Sequence, residues 1–180
     1  MKEAAYRISF TAGGLFVREL STIAVGLLEK AYWQTVEERV VAINRLQTRT
    51  VDSSIRILRE VKHRLAVLGQ EELRILINGD LEVKEAVAWL SVSRVYKIII
   101  DLSTEVINDR FQYYRSDIHF EDFDFLLNKK DCFYPELEAL KDSTRLKLRQ
   151  VSSKMMRKND KLEQQLFPCL QTLSAGGMRE

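Results

Sequence analysis

The chain is poor in the residues that mark most functional classes. Only 2 prolines and 7 glycines in 180 residues argue against disorder, short repeats and a turn-dense β fold. Two cysteines, Cys132 and Cys169, stand far apart and outside metal-ligand spacing. With only His63 and His119 beside them, a zinc site lacks donors, and two free thiols in a reducing cytoplasm are expected. The opening MKEAAYRISF has no apolar segment of the signal-peptide kind. The most apolar region, residues 86–107, is interrupted by Arg94, Lys97 and Asp101. It falls short of the roughly 18 uninterrupted apolar residues that suggest a membrane span. A net charge of +2 is too small to announce a nucleic-acid partner, so any functional charge must come from clustering.

Catalytic signatures are missing too. The sequence holds no Walker loop, dinucleotide-binding glycine pattern, HExxH helix or nucleophile elbow. Glu121, Asp122 and Asp124 are the one acidic cluster that offers a metal-dependent nuclease its carboxylates. Their expected role is to cap and solvate a helix start. The expectation is therefore a non-enzymatic cytoplasmic protein, with no catalytic residues, metal, cofactor, small-molecule substrate or membrane contact.

What is present is helical periodicity. Hydrophobic content of 46% is enough for a core. Residues 6–14 read as extended. Thr11, Gly13 and Gly14 then either cap a first helix or form an anion nest. Leu15, Phe16, Leu20, Ile23, Ala24, Leu27 and Leu28 make that helix's apolar stripe. A second helix carries Val36, Val40, Val41 and Ile43.

Residues 44–68 predict an amphipathic helix, either continuous with the second or separated from it by a turn near Asn44. Arg45, Arg49, Arg56, Arg59 and His63 fall on one stripe. Leu46, Thr50, Val51, Ile57, Leu58, Val61, Leu65 and Leu68 face away from it. Gly69 suits a C-cap, and Asn78-Gly79 a turn.

Residues 81–111 are apolar on nearly every side, which predicts one buried central helix. Ile98–Ile100 would also suit a short strand. Arg94, Lys97 and Asp101 have the spacing of surface ion pairs. Residues 112–119 read as a connector. Aromatics in 120–133 read as core rather than a stacking platform, because acids accompany them. A helix from Pro135 keeps Leu137, Leu140, Thr144, Leu148, Val151, Met155 and Leu162 on one face. Lys147, Arg149, Lys154, Arg157 and Lys161 lie on the other, with Gln150, Ser152 and Ser153 among the cations. A break at Lys141-Asp142-Ser143 would instead produce a helix-turn-helix-like arrangement. The expected fold is all-α, a multi-helix bundle around a buried central helix. Its expected parts are an N-terminal helical domain, residues 1–112, and a C-terminal helix-turn-helix-like region, residues 113–180.

These motifs have a familiar order. SFTAGGLF with Glu19, LQTRT with Arg56 and Arg64, Trp89 followed by Arg94 and Tyr96, Glu105-Val106, and STRLKLRQV together resemble the BrxA family of bacteriophage exclusion (BREX) defence systems. The resemblance spans residues 6–158. It implies an all-helical, cytoplasmic, non-enzymatic protein that binds double-stranded DNA beside other BREX proteins, in a system that methylates host DNA and excludes foreign DNA. The methylation belongs to other components. By position, Arg49, Arg56 and Arg64 match the first basic motif, and Lys147, Arg149 and Gln150 the second. Contact with DNA by these side chains, and by Arg45, Arg59, His63, Lys154 and Arg157 on the same two faces, is the expectation. An adaptor that docks acidic partner proteins and a binder of structured RNA are the alternatives.

Overall fold

The apolar spacing that begins at Leu15 becomes α1 (Val17–Leu28), which buries Leu20, Ile23 and Ala24. The computed structural model describes residues 14–28, 32–107 and 120–157. The expected extended segment before Gly14, the connector with its domain boundary, His119, Cys169 and the tail beyond Arg157 lie outside the described residues.

Next come α2 (Trp33–Ala42) and α3 (Val51–Leu65). They are followed by α4 (Gln70–Asn78) and α5 (Leu81–Val95). Helix α1 packs against all four, and α5 packs against α1, α3 and α4. The bundle's centre is thus shared by α1 and α5 rather than held by one helix. The Ser21 hydroxyl donates to the Leu76 carbonyl at 3.0 Å, tying α1 to α4. Gly69 does not cap α3. It precedes α4, and its N–H donates to Glu72 at 2.8 Å, while α3 ends at Ala66.

The expected long central helix is broken at Tyr96, whose backbone is extended (φ −120°, ψ 104°). The Tyr96 side chain is fully buried, and its hydroxyl donates to Glu60 Oε2 at 2.6 Å. That buried hydrogen bond to a charged acceptor outweighs the small loss of local helicity. The chain resumes as α6 (Lys97–Asp101) and continues in π-helical turns over Leu102–Ile107. No strand forms at Ile98–Ile100. Arg94 and Lys97 also find partners on other elements. Arg94 donates to Glu72 at 2.7 Å and to the Val67 carbonyl at 3.0 Å. Lys97 donates to the Tyr134 hydroxyl at 2.5 Å.

The C-terminal part comprises α7 (Phe120–Asp131), the single turn α8 (Pro135–Glu138) and α9 (Asp142–Arg157). The helix expected from Pro135 is therefore interrupted after Glu138, and the next helix begins at Asp142 rather than after a Ser143 cap. Helix α7 packs on the π-helical turns and on both α8 and α9. Phe123, Leu126 and Leu127 are buried, but Phe125 and Phe133 are exposed. Leu148, Val151 and Met155 of α9 join the same apolar cluster as Leu20, Leu58 and Ile99. Among the described residues no helix is long and apolar enough to cross a membrane, and no group of three His, Cys, Asp or Glu side chains converges as a metal site would need.

Two carboxylates clasp these parts together. The Arg94 hydrogen bond above all holds the Glu72 carboxyl below its ordinary range. Burial alone would raise Glu105, but hydrogen bonds from Lys129 and Lys130 outweigh it and lower its pKa. Lys130 moves the opposite way: burial would lower it, but Glu105 and Asp101 raise it. Lowered carboxyl values mean that the native state binds fewer protons than the unfolded chain. Their stabilisation is complete above the ordinary value of 4.5 and is lost as pH falls through the folded values. The Lys130 contribution is complete below 10.5 and is lost as pH rises through its folded value. Urea midpoints should therefore hold steady from about pH 8 down to about pH 5 and drop below that. A Glu72→Gln, Glu105→Gln variant should show a shallower acid decline.

Candidate nucleic-acid interface

The predicted basic helix of residues 44–68 is divided. Its first seven residues form a loop, and α3 begins only at Val51, with Thr50 as N-cap accepting from the Ser53 N–H at 3.2 Å. Thr50 thus caps the helix instead of lining its core side, and Val51 is 59% exposed. Asn44 and Gln47 have φ of 44° and 52°. Asn44 tolerates this left-handed backbone because its side chain bonds locally. Its Oδ1 accepts from the Thr48 N–H at 3.0 Å, and its Nδ2 donates to the Thr48 carbonyl at 3.1 Å. The Thr48 and Ser54 hydroxyls meet at 2.5 Å. Arg18 Nη2 donates to Gln47 Oε1 at 2.8 Å. The loop that carries Arg45 and Arg49 is therefore closed on itself and pinned to α1.

On α3, Leu58, Val61 and Leu65 are buried, while Arg56, Arg59 and Lys62 are exposed. His63 is half-buried at the edge of this face. Lys62 lies 5.2 Å from the Trp33 ring centroid. Among the described residues, no carboxylate pairs with Arg45, Arg49, Arg56 or Arg59. Arg45 and Arg49 on the loop and Arg56 and Arg59 on α3 are thus exposed without an ion-pair partner among the described residues.

Arg64 does not belong to that surface. It is 0% exposed. Its Nε donates to Glu60 Oε1 at 2.7 Å, and its Nη1 donates to the Gly14 and Leu15 carbonyls at 2.9 and 3.1 Å. Its guanidinium also lies 5.2 Å from the Phe16 ring centroid. The placement of Arg64 in a phosphate-binding motif is thus corrected: a buried guanidinium bound to a carboxylate and two carbonyls cannot reach a phosphate. The Gly14 and Leu15 carbonyls point to this cation; Thr11 and Gly13, on which the cap and anion-nest readings rest, lie outside the described residues. Gly14 has φ +132°, a region other residues rarely adopt.

The second basic face is split as well. Arg149 is half-buried and donates to Asp124 Oδ2 at 2.5 Å. Arg145 donates to Asp131 at 2.8 Å, Asn128 at 3.1 Å and the Leu137 carbonyl at 3.1 Å. These α9 arginines serve to hold α7, and Arg149 is corrected from a surface contact to an interhelix tie. Lys147, Gln150 and Lys154 remain exposed on α9, spaced to share one stripe. The Arg157 side chain lies outside the described residues.

Two cations escaped the sequence pattern. Arg18 and Lys84 sit near the N-terminal ends of α1 and α5, where the helix dipole disfavours positive charge. That mismatch was the one signal for them. Lys84 has no ion pair among the described residues.

Comparison with known proteins agrees with the geometry of the bundle. An uncharacterized protein from Magnetospirillum magneticum, known from a crystal structure, superposes with a TM-score of 0.74 at 24% identity, covering 85% of this chain and 78% of that one. A BREX protein BrxA of Bacillus cereus (strain H3081.97) is 24% identical over 84% of this chain and 76% of its own length. A BREX protein BrxA of Escherichia coli O9:H4 (strain HS) is 23% identical over 76% of this chain and 64% of its own length. The sequence profile of the BrxA family matches residues 4–168, and the chain belongs to that family.

Proposed function

We propose that this protein is a non-enzymatic, cytoplasmic component of a BREX defence system that binds double-stranded DNA through the loop and exposed face of α3. The observation that carries the reading is the set of four arginines, Arg45, Arg49, Arg56 and Arg59, held on a closed loop and one helix face without carboxylate partners among the described residues. Arg64, Arg94, Arg145 and Arg149, by contrast, are each paired with a carboxylate of the chain. Unpaired guanidinium groups suit phosphate oxygens, which they meet bidentately. Family membership supports the defence setting, and other BREX proteins are its expected partners.

The test is fluorescence anisotropy of a labelled random-sequence duplex at several salt concentrations. Binding should weaken with a log–log slope of roughly −0.9 for each phosphate contacted. Absence of binding at low salt would reject the reading. Stronger competition by duplex RNA than by DNA of equal length would move it to RNA.

A second reading rests on Phe125 and Phe133, 70% and 73% exposed on and just beyond α7. Exposed aromatic side chains of this kind suit an adaptor that docks a partner protein of the same system. Co-purification with a tagged BREX protein that survives nuclease treatment and is lost in Phe125→Ser, Phe133→Ser supports it.

A further inference from the structure

One cleft lies between α1, α5 and the C-terminal helix α9. It encloses about 660 Å³ and is lined by Arg18, Glu19, Ser21 and Thr22 of α1, Leu81, Lys84 and Glu85 of α5, and Lys154 of α9. Arg18 has two roles. It lines the cleft, and it donates to Gln47 in the loop that carries Arg45 and Arg49. The two basic motifs, remote in sequence, are therefore linked in space: loop, Arg18, cleft, Lys154. Lys84 and Lys154 form no ion pair with Glu19 or Glu85, although all four line the same cavity.

We infer that the cleft extends the arginine surface into one continuous track, in which Arg18, Lys84 and Lys154 receive backbone phosphates of the same duplex that Arg45, Arg49, Arg56 and Arg59 engage. This inference rests on the duplex-binding reading. The class of ligand follows from charge: three cations outnumber two carboxylates, and they continue a surface where cations stand unopposed. A sugar–phosphate backbone is a chain of anions, so it gains from a linear series of cations more than a compact ligand does. The volume of the cleft falls in the range of binding pockets, roughly 300–1,000 Å³, which admits one stretch of backbone and not a whole duplex. Glu19 and Glu85 sit inside the track and oppose it.

Those carboxylates provide a test of opposite sign. The full-length chain and its Lys84→Ala, Lys154→Ala, Lys84→Arg, Glu85→Gln and Arg56→Ala variants are titrated against a labelled duplex across a salt series. Each lysine removal should lower affinity about eightfold near 0.1 M salt and flatten the slope by about 0.9. Lys84→Arg should retain both, and Glu85→Gln should tighten binding. A structural role for these side chains would not produce tighter binding on loss of a carboxylate. If Arg56→Ala weakens binding but the cleft variants leave affinity and slope unchanged, the track is wrong and the arginine surface stands. If the wild-type chain fails to bind duplex at low salt, both fall together.

Discussion

Replacing Arg64 with methionine is expected to destabilise the fold by about 3–5 kcal/mol, the usual cost of removing one partner from a buried ion pair. The side chain is fully buried. Its loss strands the Glu60 carboxylate, which is only 6% exposed, and frees the Gly14 and Leu15 carbonyls that the guanidinium had bound. Tyr96 would still donate to Glu60, but one neutral donor does not replace a cation beside a buried charge. Phe16 would be affected too. Its φ of 55° is strained for a bulky residue, and it loses the guanidinium packed over its ring. The measurement is urea unfolding, read as a lower midpoint, with melting lower by on the order of 10 °C. Glu60→Leu added to Arg64→Met should recover part of the loss, because an apolar pair costs less than an orphaned charge. An unchanged midpoint in the single variant would remove the network from any account of stability.

Loss of the four exposed arginines is expected to act oppositely, abolishing tight duplex binding while sparing the fold. If each contacts one phosphate, Arg45→Ala, Arg49→Ala, Arg56→Ala, Arg59→Ala together should weaken binding by roughly three to four orders of magnitude near 0.1 M salt, with the slope flatter by about 3.6. Stability should change little, since none of the four pairs with a carboxylate among the described residues and exposed substitutions usually cost under about 0.5 kcal/mol. Arg145→Ala is the contrast. It breaks the tie to Asp131, so it should lower the melting temperature and leave the salt slope intact. A fourfold variant that binds as tightly as the wild type would mean that DNA reaches this protein elsewhere.

The helical composition of the molecule was legible because burial imposes a period. Leu58, Val61 and Leu65 follow it, and they are buried. Arg56 and Arg59 fall opposite and are exposed. Phase also carried a warning that resemblance obscured: Arg64 follows Val61 by three residues and Ile57 by seven, so it shares the core side. What periodicity could not show were interruptions made by tertiary contacts. The break at Tyr96 exists because a tyrosine reaches a glutamate 36 residues earlier. The loop before α3 depends on Asn44 and Thr48 closing on each other. Only Thr50 with Asp52 in the next turn marked the true helix start, an N-cap signal overridden by the apolar pattern. The neutralisation of Arg149 was hidden for the same reason, since Asp124 lies on another helix. Several residues that carry the family resemblance, Gly14, Leu15, Phe16, Arg64 and Tyr96, meet in one buried network. They mark the scaffold rather than the charged surface.

That network has a consequence for how the family can drift. Arg64 binds main-chain oxygens at positions 14 and 15, and every residue type supplies a carbonyl there. The bond therefore reads spacing and not identity; the glycine at 14 serves the backbone turn instead. Side chains around it can be exchanged one at a time, but a residue gained or lost between Leu15 and the first buried turn of α1 would carry the acceptors away from the guanidinium. Among relatives only 24% identical, alignment gaps should thus avoid this short stretch, even where few letters within it agree.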